Sequence, residues 1–304
     1  MPRNPTDPPP DAPEVETTGH IWDGIEEYNN PMPRWWLWVF YATIVWGLLY
    51  TLAYPAWPGL RSATAGFLGY STRAELAQDI ALAQQSNAPL NARLVAAELP
   101  QIAADAELTR YALSAGEAVF KTWCVQCHGA GAAGARGYPN LLDNEWLWGG
   151  DIEAIHTSIR YGIRNTESPE AHYSEMPAFG RDEILQEAEI SAVAHYILSL
   201  SGAAHDTAHD TAPEAVVDAA VVAEGATLYQ EQCAACHAED AMGDRFQGAP
   251  GLTDAIWLYG GDYASLVESI TYGRFGVMPN WDSRLSEAQI RAVSVYVHGL
   301  GGGE

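Results

Sequence analysis

Cysteine is scarce in this 304-residue chain: there are four, and all four stand in two motifs, Cys124-Val-Gln-Cys127-His128 and Cys233-Ala-Ala-Cys236-His237. None is left over for a disulfide framework, so the domains must be held by core burial and by whatever the motifs bind. Basic residues are scarce too. Fifteen Lys and Arg face 39 Asp and Glu, a formal net charge of -24, which excludes nucleic acid as a partner. Long uncharged apolar runs are also lacking, with one exception near the N-terminus, Trp35 to Tyr54.

In a Cys-x-x-Cys-His segment two thiols add to the vinyl groups of a haem and the imidazole that follows reaches the iron, so each motif reads as a site for covalent haem c. A redox dithiol needs no trailing His, and a zinc ribbon rarely separates its Cys pairs by a whole domain. Two covalently bound haems c are therefore expected, on Cys124 and Cys127 and on Cys233 and Cys236, with His128 and His237 toward iron.

The motifs sit in a longer repeat. From Gly116 to Leu200 the chain reads much as it does from Gly225 to Leu300, which is the signature of a duplicated domain. Each copy has an amphipathic helix with an aromatic (Phe120, Tyr229), the Cys-x-x-Cys-His motif and a Gly-rich loop to a Pro (Pro139, Pro250). A Trp-Leu-aromatic-Gly-Gly-Asp turn into a helix follows, then a Met-Pro pair (Met176-Pro177, Met278-Pro279) and a closing helix with Tyr196 or Tyr296. This order resembles a class I cytochrome c, once in each copy. The resemblance implies that Met176 and Met278 supply the sixth iron ligands, and that the carbonyls of Pro139 and Pro250 orient the proximal imidazoles. Whether each Met serves its own copy's haem or its neighbour's stays open. The first copy has an extra stretch, Asn165 to Tyr173, read as a surface loop for partner contact or interdomain packing. His156, His172 and His195 have no counterparts in the second copy and read as packed or solvated residues rather than rival ligands.

Trp35 to Tyr54 rises about 30 Å as a helix and matches a bilayer core. Trp35, Trp36 and Trp38 at one end and Tyr50, Tyr54 and Trp57 at the other suit two interfacial belts. A cleaved signal peptide is the competing reading. The run is too long for one, the Ala63-Thr64-Ala65 site lies too far beyond it, and the preceding residues are acidic. The Lys and Arg count is nearly balanced across the segment and gives no orientation; haem c attachment, which takes place outside the cytoplasm, puts everything after Tyr54 in the periplasm.

Ahead of the helix stands His20-Ile-Trp22-Asp-Gly-Ile-Glu26-Glu27, then Asn29-Asn-Pro-Met-Pro-Arg34-Trp-Trp36. Together with one membrane helix and two cytochrome c modules, this resembles the CcoP (FixP) subunits of cbb3-type cytochrome c oxidases over nearly the whole chain. The resemblance implies an electron-transfer subunit of the bacterial inner membrane. It would take electrons from a donor cytochrome c toward a monohaem subunit and an oxygen-reducing, proton-pumping catalytic subunit, with no catalytic residue of its own. An anchored dihaem carrier for another membrane dehydrogenase and a dihaem cytochrome c peroxidase are the alternatives.

The expected fold is all-α, one N-terminal transmembrane helix followed by two tandem class I cytochrome c domains. The segments are a 1–34 cytoplasmic tail, a 35–57 transmembrane helix, a 58–110 connector of short helices, cytochrome c domains over 111–201 and 224–304, and a 202–223 linker. Pro2 to Pro13 reads as disordered tail, and His205 and His209 as solvated linker residues.

Overall fold

The computed structural model describes residues 16–200 and 218–304; the stretch Pro2 to Pro13 and linker residues His205 and His209 lie outside the described residues. The chain divides into two compact units, up to Gln85 and from Ser86 onward.

The first unit opens with a hairpin that the all-α expectation did not contain. Strands β1 (Thr17–Trp22) and β2 (Ile25–Tyr28) pair antiparallel, with Trp22 opposite Ile25. The turn between them is Asp23-Gly24, both at positive φ, as a two-residue hairpin requires. Helix α1 (Arg34–Ala53) follows and buries no residue within the protein. It is apolar all round rather than on one stripe, which suits a helix solvated by lipid. Helix α2 (Thr72–Ala96) then runs unbroken for 25 residues, through Pro89, where short helices were expected. Its Ala, Leu and Gln content favours helix strongly enough to carry the Pro.

The second unit contains the end of α2, a 3₁₀ turn (Leu99–Ala104) and the haem-motif repeat. The first copy forms α3 (Ala106–Trp123), the short α4 (Val125–His128), α5 (Ile152–Tyr161) and α6 (Glu187–Leu200). The second forms α7 (Ala219–Gln232), α8 (Ala234–His237), α9 (Tyr263–Tyr272) and α10 (Glu287–His298). Asp105, Asp151, Asp218, Asp262 and Ser286 accept backbone N–H bonds at helix starts, so the helix boundaries are written locally.

The copies do not close on themselves. Helix α3 packs on α10 and helix α7 on α6, so each opening helix meets the closing helix of the other copy. The crossings are made at glycine. A Cβ on Gly116 would strike the Ala292 carbonyl, and one on Gly225 the Ala192 carbonyl. The repeated aromatics meet in the same exchanged sense, Phe120 with Tyr296 at 5.5 Å and Tyr229 with Tyr196 at 5.4 Å. Two all-helical bodies result, each built from both copies around one Cys-x-x-Cys-His motif. The first has a core of Val119, Phe120, Ile155 and Ile159 from copy one with Trp281, Leu285, Ile290 and Val293 from copy two. The second joins Tyr229, Leu252, Leu266 and Ile270 to Phe179, Leu185, Ile190 and Val193. Each fully buried aliphatic or aromatic side chain contributes about 1.5–3 kcal/mol, so the exchange carries most of the core energy of both bodies.

The connector joins this unit before residue 111: Leu94, Leu99, Ile102 and Leu108 share a core with Ala292 and Val295 of α10. The Arg291 guanidinium donates to the carbonyls of Leu94 and Ala97.

Candidate haem site

Helix α3 stops at Trp123, and Cys124 caps it with its own N–H on the Phe120 carbonyl at 2.8 Å. The next turn restarts at once. His128 N–H reaches the Cys124 carbonyl at 2.9 Å, and His237 N–H reaches the Cys233 carbonyl at the same distance. One helical turn therefore holds two thiols and an imidazole at i, i+3 and i+4, on one face. Burial, with a smaller contribution from the neighbouring Cys of each motif, pushes Cys124 and Cys233 up to about 11, so both are thiols at neutral pH. Cys127 and Cys236 are exposed.

His128 Nδ1 lies 3.1 Å from the Pro139 carbonyl and His237 Nδ1 2.9 Å from that of Pro250. A carbonyl only accepts, so Nδ1 carries the proton and Nε2 keeps its lone pair. Burial lowers the pKa of both imidazoles and outweighs the opposing carbonyl bond. Both rings are thus neutral, with a free nitrogen for a metal.

A single apolar cavity of about 430 Å³ is lined by both motifs, by Met176 and by Met278. The methionines enter it crossed. Met278 packs against the core that holds Cys124 and Val125, and Met176 against the core that holds Cys233 and Ala234. Backbone bonds set this. Ile163, just past α5, exchanges two 2.9 Å bonds with Met278, while Phe179 N–H bonds the Ile270 carbonyl at the end of α9. Gly162 and Gly273 let the strands approach, since a Cβ on either would strike the carbonyl of the crossing Met.

The remaining candidates lie elsewhere. Met242 is 66% exposed in its loop. His156 bonds Glu287 at 3.1 Å, His172 stacks on Trp148 at 4.4 Å, and His195 stacks on Tyr263 at 4.7 Å; none lines the cavity. The Asn165 to Tyr173 stretch is a largely exposed loop, with Tyr173 66% exposed, tied down where Asn165 donates to the Tyr161 carbonyl and His172 closes over Trp148. The sequence reading passed over three further lining residues, Arg164, Tyr259 and Arg274. The signal available for them was an Arg within three residues of each Tyr-Gly pair, in a domain region with few cations.

Residues 14–61 match the family model described as the N-terminal domain of cytochrome oxidase-cbb3, FixP. Residues 112–197 and 220–297 match that of cytochrome c oxidase, cbb3-type, subunit III. The cbb3-type cytochrome c oxidase subunit CcoP of Cereibacter sphaeroides is 59% identical over 291 residues, 96% of each chain. CcoP of Rhodobacter capsulatus is 52% identical over 96% of this chain and 97% of its own, and subunit FixP of a Bradyrhizobium species 47% identical over 95% of each. The chain belongs to the CcoP/FixP family. It is a membrane-anchored cytochrome c subunit with two cytochrome c domains, and such domains carry haem c. The residues present fit that group: each motif offers two thiols beside a neutral imidazole with a free Nε2, and an apolar cavity with one thioether facing each motif's core.

Proposed function

We propose that this CcoP/FixP member relays single electrons through two haems c within a cbb3-type cytochrome c oxidase. Cys124 and Cys127 attach one haem and Cys233 and Cys236 the other. His128 and Met278 hold the first iron, and His237 and Met176 the second. The observation that carries the reading is the single cavity shared by both motifs, with one Met delivered across the repeat into each core. Haem, when bound, would supply one-electron redox chemistry; the four Cys would attach it, His128, His237, Met176 and Met278 would hold the irons, and the apolar wall would keep water away. His/Met ligation favours a high potential and leaves no open position for oxygen or peroxide, which supports a relay over a peroxidase.

Electrons come from a donor cytochrome c in the periplasm and leave toward the monohaem and catalytic subunits. Helix α1 anchors the chain once in the inner membrane, with the haem unit periplasmic and the hairpin cytoplasmic. With nine Lys and Arg against 27 Asp and Glu from Tyr111 to Glu304, the haem unit favours a basic donor and a salt-sensitive encounter. The test is rapid mixing of the membrane-extracted oxidase with a reduced basic cytochrome c. Two haems c per chain should be reduced and then reoxidised by oxygen, at a rate that falls with salt. Reoxidation by oxygen in the isolated subunit at the same rate would instead mark an open iron and contradict the relay.

A further inference from the structure

Two cations line the haem cavity in a protein that has few. Arg274 follows the Tyr272-Gly273 end of α9, and its three contacts leave one nitrogen over. Nε donates to Ser269 Oγ at 2.9 Å, Nη1 donates to Glu268 at 3.2 Å, and the guanidinium lies 4.5 Å over the Tyr259 ring. Nη2 is buried and has no hydrogen-bond partner among the described residues. A buried guanidinium N–H left unpaired costs more than an ordinary lost bond, because the charge is desolvated with it.

Arg164 follows the Tyr161-Gly162 end of α5, the matching place in the other copy. Its Nε donates to the Ser174 carbonyl at 2.6 Å and its Nη1 to the Gly276 carbonyl at 3.0 Å. No salt bridge to it is formed among the described residues, although the chain as a whole is strongly acidic. Its backbone sits at φ +54, a conformation that a side chain other than Gly, Asn or Asp holds only when its surroundings fix it. Both guanidiniums thus present N–H groups to one cavity with no protein carboxylate to satisfy them fully, and both stand beside the segments that carry the crossed methionines.

Resting on the two-haem reading, we infer that Arg164 and Arg274 are propionate-binding residues, Arg274 for the haem on Cys233 and Cys236 and Arg164 for the haem on Cys124 and Cys127. A propionate carboxylate accepts from the guanidinium N–H, which completes the donor set of each Arg and fixes the haem's rotation in its pocket. Each cation disfavours the ferric state, whose porphyrin carries one more positive charge than the ferrous one, and so raises the potential of its own haem. Arg164 and Arg274 are positioning residues; neither touches iron.

The experiment is spectroelectrochemistry on the intact, membrane-extracted oxidase carrying Arg274→Gln, Arg274→Lys, Arg164→Gln or Glu268→Gln, with haem counted by pyridine haemochrome. Arg274→Gln should keep two haems c and shift one haem's reduction equilibrium about tenfold toward oxidised, about 59 mV for one electron. Arg164→Gln should move the other haem in the same direction. Arg274→Lys should restore at least half of the shift, because the charge returns. Glu268→Gln frees Arg274 from its competing acid and should leave that midpoint unchanged or raise it. Unmoved midpoints in both Gln variants overturn the inference. So does a fall of about 59 mV in Glu268→Gln, which would make the Arg274–Glu268 pair merely structural; this arm decides even if Arg274→Gln fails to assemble. A wild-type chain without two haems c would overturn the haem reading itself, and would show before any variant is made.

Discussion

Trp148 and Tyr259 occupy matching places in the two copies, and each crosses the seam to pack on the other copy's haem loop, Trp148 against Gly248 and Tyr259 against Gly137. What covers them differs. The His172 ring closes over Trp148 at 4.4 Å, while the Arg274 guanidinium lies over Tyr259 at 4.5 Å. Burial lowers the His172 pKa, so the cover over Trp148 is neutral and the cover over Tyr259 cationic. The lengths of the crossing segments differ as well, 162–175 in the first copy and 273–277 in the second. Five residues suffice for the second crossing, so the longer first one is not needed for the exchange. Among its extra residues His172 supplies the neutral cover over Trp148, while Thr166, Glu167, Pro169, Glu170 and Tyr173 stay exposed. The two bodies share one exchanged architecture, and their differences lie in charge and cover at the join.

The exchanged architecture breaks most severely at its glycine crossings. Gly116→Val forces α10 away from α3 and should destabilise the first haem body by about 3 kcal/mol, the upper end for overpacking. Gly225→Val should do the same to the second body. Denaturant melts followed at each haem separate the two. Because α10 continues from Met278 and α6 from Met176, the first variant should weaken thioether ligation at the haem on Cys124 and the second at the haem on Cys233. Damage appearing at the opposite haem would mean that the helices close within their own copies.

A smaller effect sharpens the contrast in charge. Glu287 takes bonds from His156, Arg160 and Arg291 and so ties α10 to α5. Burial alone would raise the Glu287 pKa, but Arg291, His156 and Arg160 outweigh it and hold it below 4.5. His156 and His172 are both held below 6.5, chiefly by burial. A depressed folded pKa contributes stability above the unfolded value and loses it as pH falls through the folded one. The haem unit should therefore lose stability progressively below about pH 6.5, as these two imidazoles become protonated, and again below pH 4.5 at Glu287. His172→Asn should flatten the first part of that loss, as read by melts across pH. An unchanged profile would mean that the neutral lid contributes nothing to stability.

The Cys-x-x-Cys-His turns were legible from spacing alone, because helical geometry fixes them wherever the rest of the chain goes. The Pro carbonyls and the two Met-Pro pairs were marked by the resemblance to class I cytochromes c. The exchange was not legible, for a physical reason. Gly116 meets Ala292 and Gly225 meets Ala192, so either opening helix offers either closing helix the same small-residue crossing and the same aromatic. Periodicity records that an opening helix needs a closing one, and says nothing of which copy provides it. Arg164 and Arg274 escaped because a lone loop cation has no period. The hairpin is a different case, since Asp23-Gly24 between Ile21-Trp22 and Ile25 is a local turn signal that the aromatic content of the segment overshadowed.

Crossed ligation is tested most directly in a chain with one haem. With Cys233 and Cys236 replaced by Ala, the haem on Cys124 and Cys127 alone remains, and its thioether–iron charge-transfer absorption reports its sixth ligand. Met278→Leu in that background should abolish the absorption and lower the midpoint, while Met176→Leu should leave both intact. Loss of the absorption with Met176→Leu and its survival with Met278→Leu would contradict the exchange.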